Sequence, residues 1–186
     1  ANNVISNKNV GGDGIIIKGN LSATGQGFLT INNNTIVASS SGIQVLSETG
    51  GINFKNNIVA SNRGGGIYQS STSTTTINIS YNDVWGNNPN YENKITDQTG
   101  KNSNISADPK FGTDYCLKAD SPALGSGEFG QHMGAKGPCG DAGPVLNLKF
   151  KMQRKIENND KLPAKTEEQT QKVSVKLGGN FGKPLE

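Results

Sequence analysis

Short apolar runs bounded by Gly, Asn or Ser recur along the first half of the chain in a constant order. One run follows asparagine: Asn2-Asn3-Val4-Ile5, Asn34-Thr35-Ile36-Val37, Asn56-Asn57-Ile58-Val59 and Asn82-Asp83-Val84-Trp85, with first residues 32, 22 and 26 positions apart. A second follows glycine: Gly14-Ile15-Ile16-Ile17, Gly42-Ile43-Gln44-Val45 and Gly66-Ile67-Tyr68-Gln69. A third closes each unit: Phe28-Leu29-Thr30-Ile31, Ile52-Asn53-Phe54 and Ile77-Asn78-Ile79. Self-similarity at such a period is the mark of a repeat architecture, and short β-branched runs between turn residues read as strands. No such strand buries its apolar residues alone. Stacking one unit on the next gives every strand a parallel partner and a shared core of Ile, Val and Phe. The pattern therefore predicts an all-β solenoid of three to four coils, with three strands to a coil.

Two details follow from that stack. The recurring asparagine fits a turn whose side-chain amide bonds to the neighbouring coil, predicting a ladder through Asn2, Asn34, Asn56 and Asn82. Coil length varies where turns bulge outward, at residues 19–27 and 70–76, as solenoids allow. In the glycine-led strands, alternation sends Ile15, Ile17, Ile43, Val45 and Ile67 inward and leaves Ile16, Lys18, Gln44, Leu46, Tyr68 and Ser70 outward.

The pattern changes after residue 103. An open solenoid end exposes core and strand edges and needs a cover. Asp108-Pro109 and Ser121-Pro122 are turn signals, and Phe111, Tyr115, Leu117 and Leu124 are candidates to plug the last coil. Beyond Pro144, Leu146, Leu148, Phe150 and Met152 alternate as in a strand. Residues 157–172 read as a charged linker, and Val173-Ser174-Val175-Lys176-Leu177 as a second strand of either a further module or a tail. The expected division is coils at 1–103, a closing cap at 104–143, and a strand with linker or tail at 144–186.

Composition narrows the picture. With 25 glycines and 24 asparagines against 32% hydrophobic residues, a helical bundle is excluded, because both residues are poor in helix interiors. At 18% charged residues the chain is too lightly charged for the disordered class. Residues 1–144 carry nine Lys/Arg against ten Asp/Glu, and residues 145–186 nine against five. The repeat body thus lacks the basic stripe a nucleic-acid partner requires. Cys116 and Cys139 fit either a disulfide or two buried thiols. Neither lies in a Cys/His cluster, so no metal is expected. No apolar run is long enough to span a bilayer. The chain opens inside a repeat and reads as a fragment, with N-terminal coils and any export signal upstream.

The repeats over residues 1–85 resemble the right-handed parallel β-helix family, the pectate-lyase-like and NosD-like repeats. Residues 104–140 add a second likeness, through Asp108-Pro109-Lys110-Phe111, Tyr115-Cys116-Leu117, Ser121-Pro122-Ala123 and Met133-Gly134-Ala135. That segment looks like the one closing many secreted bacterial β-helix proteins, except that His132 stands where the pattern usually has Asp. The resemblance implies an extracellular or cell-surface protein associated with polysaccharide. In its catalytic members a groove runs along one sheet, which would fall here on residues 14–18, 42–46 and 66–70. Lys18, Gln44, Tyr68 and Ser70 are then the candidate sugar-binding residues.

Catalysis is less well supplied. Glycoside hydrolysis needs two carboxylates across the scissile bond, and lyase chemistry a base with a cation. The expected face has a lysine and a tyrosine but no carboxylate, and Asp13 and Asp83 share no strand stack with it. No catalytic residue is assigned and no cofactor expected. His132 reads as a loop histidine, and Trp85 and Tyr91 as packing residues beneath a loop. Two functions fit: the C-terminal, non-catalytic part of a polysaccharide-binding or polysaccharide-processing β-helix, or a structural or adhesive surface stalk.

Overall fold

The computed structural model describes residues 1–7, 11–19, 21, 28–47 and 50–140, and beyond them the backbone of two strands. It divides into two units, Ala1–Cys139 and Gly140–Glu186. In the second unit, β12 (Val145–Leu148) pairs antiparallel with β13 (Val173–Lys176). The linker expected at 157–172 lies outside the described residues.

The first unit is all-β, with two single-turn 3-10 helices among its described residues. Its chain visits three sheets in rotation. Sheet I takes β1 (Val4–Ser6), β4 (Thr35–Val37), β7 (Ile58–Ala60) and β10 (Asp83–Trp85). Sheet II takes β2 (Ile15–Ile17), β5 (Ile43–Val45), β8 (Ile67–Gln69) and β11 (Tyr91–Asn93). Sheet III takes β3 (Phe28–Asn32), β6 (Gly51–Lys55) and β9 (Thr76–Ser80). Every pairing within these sheets is parallel, each strand bonding to the strand one circuit later. The topology is compatible with a β-helix.

The register explains the core. Ile5, Ile36, Val59 and Val84 are successive partners in sheet I, and all face the interior. Ile43, Val45 and Ile67 come from sheet II and Ile52 and Phe54 from sheet III, all of them fully buried. Burying each such side chain contributes about 1.5–3 kcal/mol, and stacking lets one circuit's side chains cover those of the next.

Five asparagines form a ladder along one edge of sheet I: Asn3, Asn34, Asn57, Asn82 and Asn104. Each of the first four donates its backbone N–H and its side-chain amide to the Oδ1 of the next, at 2.9–3.2 Å. Asn34 and Asn82 were expected here, but Asn2 and Asn56 are displaced by one residue. With Asn33 and Tyr81 they take the position before the rung, at φ between 51° and 61°. The tight turn into sheet I needs one left-handed residue, which asparagine tolerates, and the rung is the residue after it. A second ladder links sheets I and II, Ser39 donating to Asn62 and Asn62 to Asn87 at 2.9–3.0 Å.

The expected end plug is a lateral cover. After Ile105, bridged in parallel to Asp83, the chain turns back along the outer face of sheet I. Leu117, Ala123 and Met133 are fully buried there against Val37, Ile58 and Ala60, with Phe111, Tyr115 and Leu124 packed around them. The cover spans successive circuits: Tyr115 Oη lies 2.8 Å from Ser6 Oγ, Ala135 N–H donates to Thr35 Oγ1 at 2.9 Å, and Gly134 N–H to the Asn56 carbonyl at 2.6 Å. The physical reason lies in the strands. Thr35–Val37 and Ile58–Ala60 are buried on both faces, and their outer side chains Val37, Ile58 and Ala60 are apolar, so a second layer must shield that face. A disulfide joins Cys116 to Cys139 within this segment.

Candidate functional site

The outer face of sheet II is built by strict alternation. Ile43, Val45 and Ile67 point inward, so the residues between them point out. Register aligns Ile16, Gln44, Tyr68 and Glu92 as one row across four circuits. Gln44, Tyr68 and Glu92 are half-buried and Ile16 is exposed.

One position further on, Leu46 N–H bonds to the Ile17 carbonyl, Ser70 to Val45 and Lys94 to Gln69. A second row of Leu46, Ser70 and Lys94 therefore runs beside Lys18. Of the expected sugar-binding residues, Gln44 and Tyr68 are direct neighbours. Lys18 and Ser70 lie in the second row with Leu46 between them. Ser70 Oγ is occupied by Thr72 Oγ1 at 2.9 Å.

Glu92 was missed, because residues 91–93 read as loop. The spacing carries the signal: 24 residues separate Ile43 from Ile67, and 24 separate Ile67 from Tyr91. Tyr91 is the inward member of that strand, buried in the core, where loss of solvent pushes its phenol up. Asn93 tethers the Tyr68 ring, its Nδ2 donating to Tyr68 Oη at 3.3 Å. Lys94 Nζ donates to the Ser73 carbonyl at 2.6 Å and is committed to the 70–75 turn. Gln69, also missed, turns inward and fixes the same turn through Thr75 O at 2.8 Å.

The face thus offers an aromatic plane, an amide, a carboxylate and the ammonium of Lys18. A tyrosine ring stacks on the apolar face of a sugar, and amide or carboxylate groups accept its hydroxyls. The expectation of a carboxylate-free face is overturned by Glu92, which has no in-register carboxylate partner for two-carboxylate hydrolysis. Among the described residues no His, Cys, Asp and Glu cluster could hold a metal ion.

The remaining titratable candidates lie away from this face. Asp83 is fully buried beneath the returning segment, and burial pushes its carboxyl up to about 7. Its Oδ1 accepts from Ala107 N–H at 3.1 Å, while Oδ2 has no partner. His132 is half-buried in the cover, and burial lowers its pKa. Asp13 sits in the turn before sheet II, its carbonyl accepting from Asn7 Nδ2 at 3.2 Å. Trp85 packs against the returning segment.

No protein-family model matches the chain, and no curated protein or solved structure matches it significantly.

Proposed function

We propose that the first unit is a right-handed parallel β-helix and that the chain is the C-terminal, non-catalytic part of an extracellular polysaccharide-binding or polysaccharide-processing protein. Its sugar-binding surface is the outer face of sheet II. The observation that carries this reading is the in-register row Gln44–Tyr68–Glu92, with the Tyr68 hydroxyl tethered by Asn93. It is a sugar-stacking ring flanked on both sides by hydrogen-bonding groups. Handedness is supported by the general right-handedness of parallel crossovers, and the extracellular assignment by the Cys116–Cys139 disulfide, which persists in oxidising compartments.

A structural or adhesive stalk is the second reading. The asparagine ladders favour it, because they add length and stiffness to a stack without any chemistry.

A glycan array on the full chain, with Tyr68→Ala beside it, separates the two. The sugar-binding reading expects a signal that weakens about fivefold or more in the variant, the loss of one stacking contact. A blank array with the intact chain leaves the stalk.

A further inference from the structure

The lower end of sheet III differs from the other two. Sheet I continues past β10 through the Asn104–Ile105 rung, whereas among the described residues no further strand follows the edge of β9. Instead the chain swings away through Asp97–Lys101 and returns at Asn102, whose carbonyl accepts from Tyr81 N–H at 3.0 Å. Between that loop and β9 lies a cavity of about 380 Å³, and a smaller one of about 150 Å³ adjoins it through the shared residues Ile77, Ile79 and Gln98.

The lining of the larger cavity has a definite chemical character. Three amides border it, and each has its NH2 group engaged elsewhere. Asn78 Nδ2 donates to Asn53 Oδ1 at 2.9 Å, Gln98 Nε2 to the Thr96 carbonyl at 2.8 Å, and Asn102 Nδ2 to the Ile79 carbonyl at 3.5 Å. Each donation orients its amide and leaves the carbonyl oxygen as a fixed acceptor, while Asn78 and Asn102 each keep a second N–H, so the lining can both accept and donate. Ser80 and Ser103 add hydroxyls, Ile77 and Ile79 give an apolar strip, and no lining residue is formally charged. Fixed acceptors beside an apolar strip, without charge, match a neutral polyhydroxylated molecule. A phosphate or uronate would find no cationic side chain among the lining residues to balance its charge.

We infer that the groove below β9 binds the end of a neutral saccharide, one or two sugar units long. The site is separate from the face of sheet II, and each stands or falls without the other.

The test is a titration of the 15N-labelled full chain with cellobiose, maltose, N,N′-diacetylchitobiose and digalacturonate, each to about 10 mM, a range that captures millimolar dissociation constants. At least one neutral disaccharide is expected to shift amides of residues 77–80 and 98–103, and digalacturonate is not. Gln98→Leu, and Asn78→Val combined with it, should weaken that binding about tenfold or more, the loss of one or two hydrogen bonds. Gln98 lies in a surface turn, so the single variant keeps the fold should the double one fail. Tyr68→Ala should leave these shifts in place, which separates this groove from sheet II. The inference is overturned if no neutral disaccharide moves these amides, if digalacturonate moves them equally, or if Gln98→Leu binds as tightly as the parent.

Discussion

Asn57 and Asn82 are joined by two hydrogen bonds to a single oxygen: the backbone N–H and the side-chain Nδ2 of Asn57 each donate to Asn82 Oδ1 at 2.9 Å. Asn57 Nδ2 also donates to the Ile31 carbonyl, and Asn57 Oδ1 accepts both donors of Asn34. Its side chain is fully buried. Asn57→Ala would take the acceptor from both Asn34 donors and a donor from the Ile31 carbonyl, while Asn82 Oδ1 keeps the backbone N–H, and a buried group without its partner costs about 1–3 kcal/mol. The expected loss is about 3 kcal/mol or more by chemical denaturation. Asn53→Ala removes an exposed rung to Asn78 and should cost under about 0.5 kcal/mol. Equal losses would refute the ladder's structural weight.

That pair also shows how much of the stack could be read beforehand. The three strand families and their facing were legible because Ile43, Val45 and Ile67 alternate with polar residues. The rung was misplaced where asparagine comes as a doublet, since Asn2-Asn3 and Asn56-Asn57 do not say which member turns and which bonds. Tyr81-Asn82 does say: only the second residue there is asparagine, and it directly precedes the strand. The lateral cover escaped notice for another reason. Its signal is the unbroken apolar run Ile58-Val59-Ala60, which requires a partner on both faces, whereas the need to close a solenoid points only to its open end.

The cover should be separable from the sheets it shields. Leu117 is fully buried against sheet I, and Leu117→Ala is expected to cost about 3 kcal/mol. Reducing the Cys116–Cys139 disulfide, which closes a loop of 23 residues' separation, should cost about 3 kcal/mol as well. Limited proteolysis with and without reductant checks this. Cleavage within residues 106–139 should precede cleavage of residues 30–100, and simultaneous loss of both would show that the cover is not a separate layer.

Asp83 predicts a pH dependence opposite to that of an ordinary paired carboxylate. Its carboxyl titrates near 3.8 when exposed and is raised to about 7 in the fold, first by burial, with Asp108 adding to the rise and the Ala107 N–H opposing it. Between those values the folded chain keeps a proton that the unfolded chain has released. This contribution is therefore fully present below about pH 4, falls as pH rises to about 7, and is level above. The shift corresponds to about 4 kcal/mol at most. Asp83→Asn preserves an acceptor for Ala107 and carries no charge. Melting temperatures from pH 4 to 8 should converge for the two proteins at the acid end, with the variant more stable at pH 8. Parallel curves would mean that Asp83 does not titrate in this window.

Successive circuits leave no room for a side chain where sheet I hands over to sheet II. Gly14, Gly42 and Gly66 succeed one another there, Gly42 N–H donating to the Gly65 carbonyl and Gly14 N–H to the Ser41 carbonyl at 2.8–2.9 Å. A Cβ on Gly42 would meet the Gly66 carbonyl oxygen and the Val59 side chain, and one on Gly14 the Gly42 carbonyl and Ile36. These obstacles are backbone and packed core, which cannot rotate aside, so the circuits would have to separate. Gly42→Ala is expected to cost about 3 kcal/mol or more, the upper range for overpacking. Gly125, at φ +69° with nothing within 4 Å of a Cβ, supplies the contrast. There an alanine suffers only the left-handed backbone, at about 1 kcal/mol. Denaturation of the two variants side by side distinguishes steric spacing from backbone conformation. A Gly42→Ala protein as stable as Gly125→Ala would mean that the circuits are not held at the spacing on which the outward rows of sheet II depend.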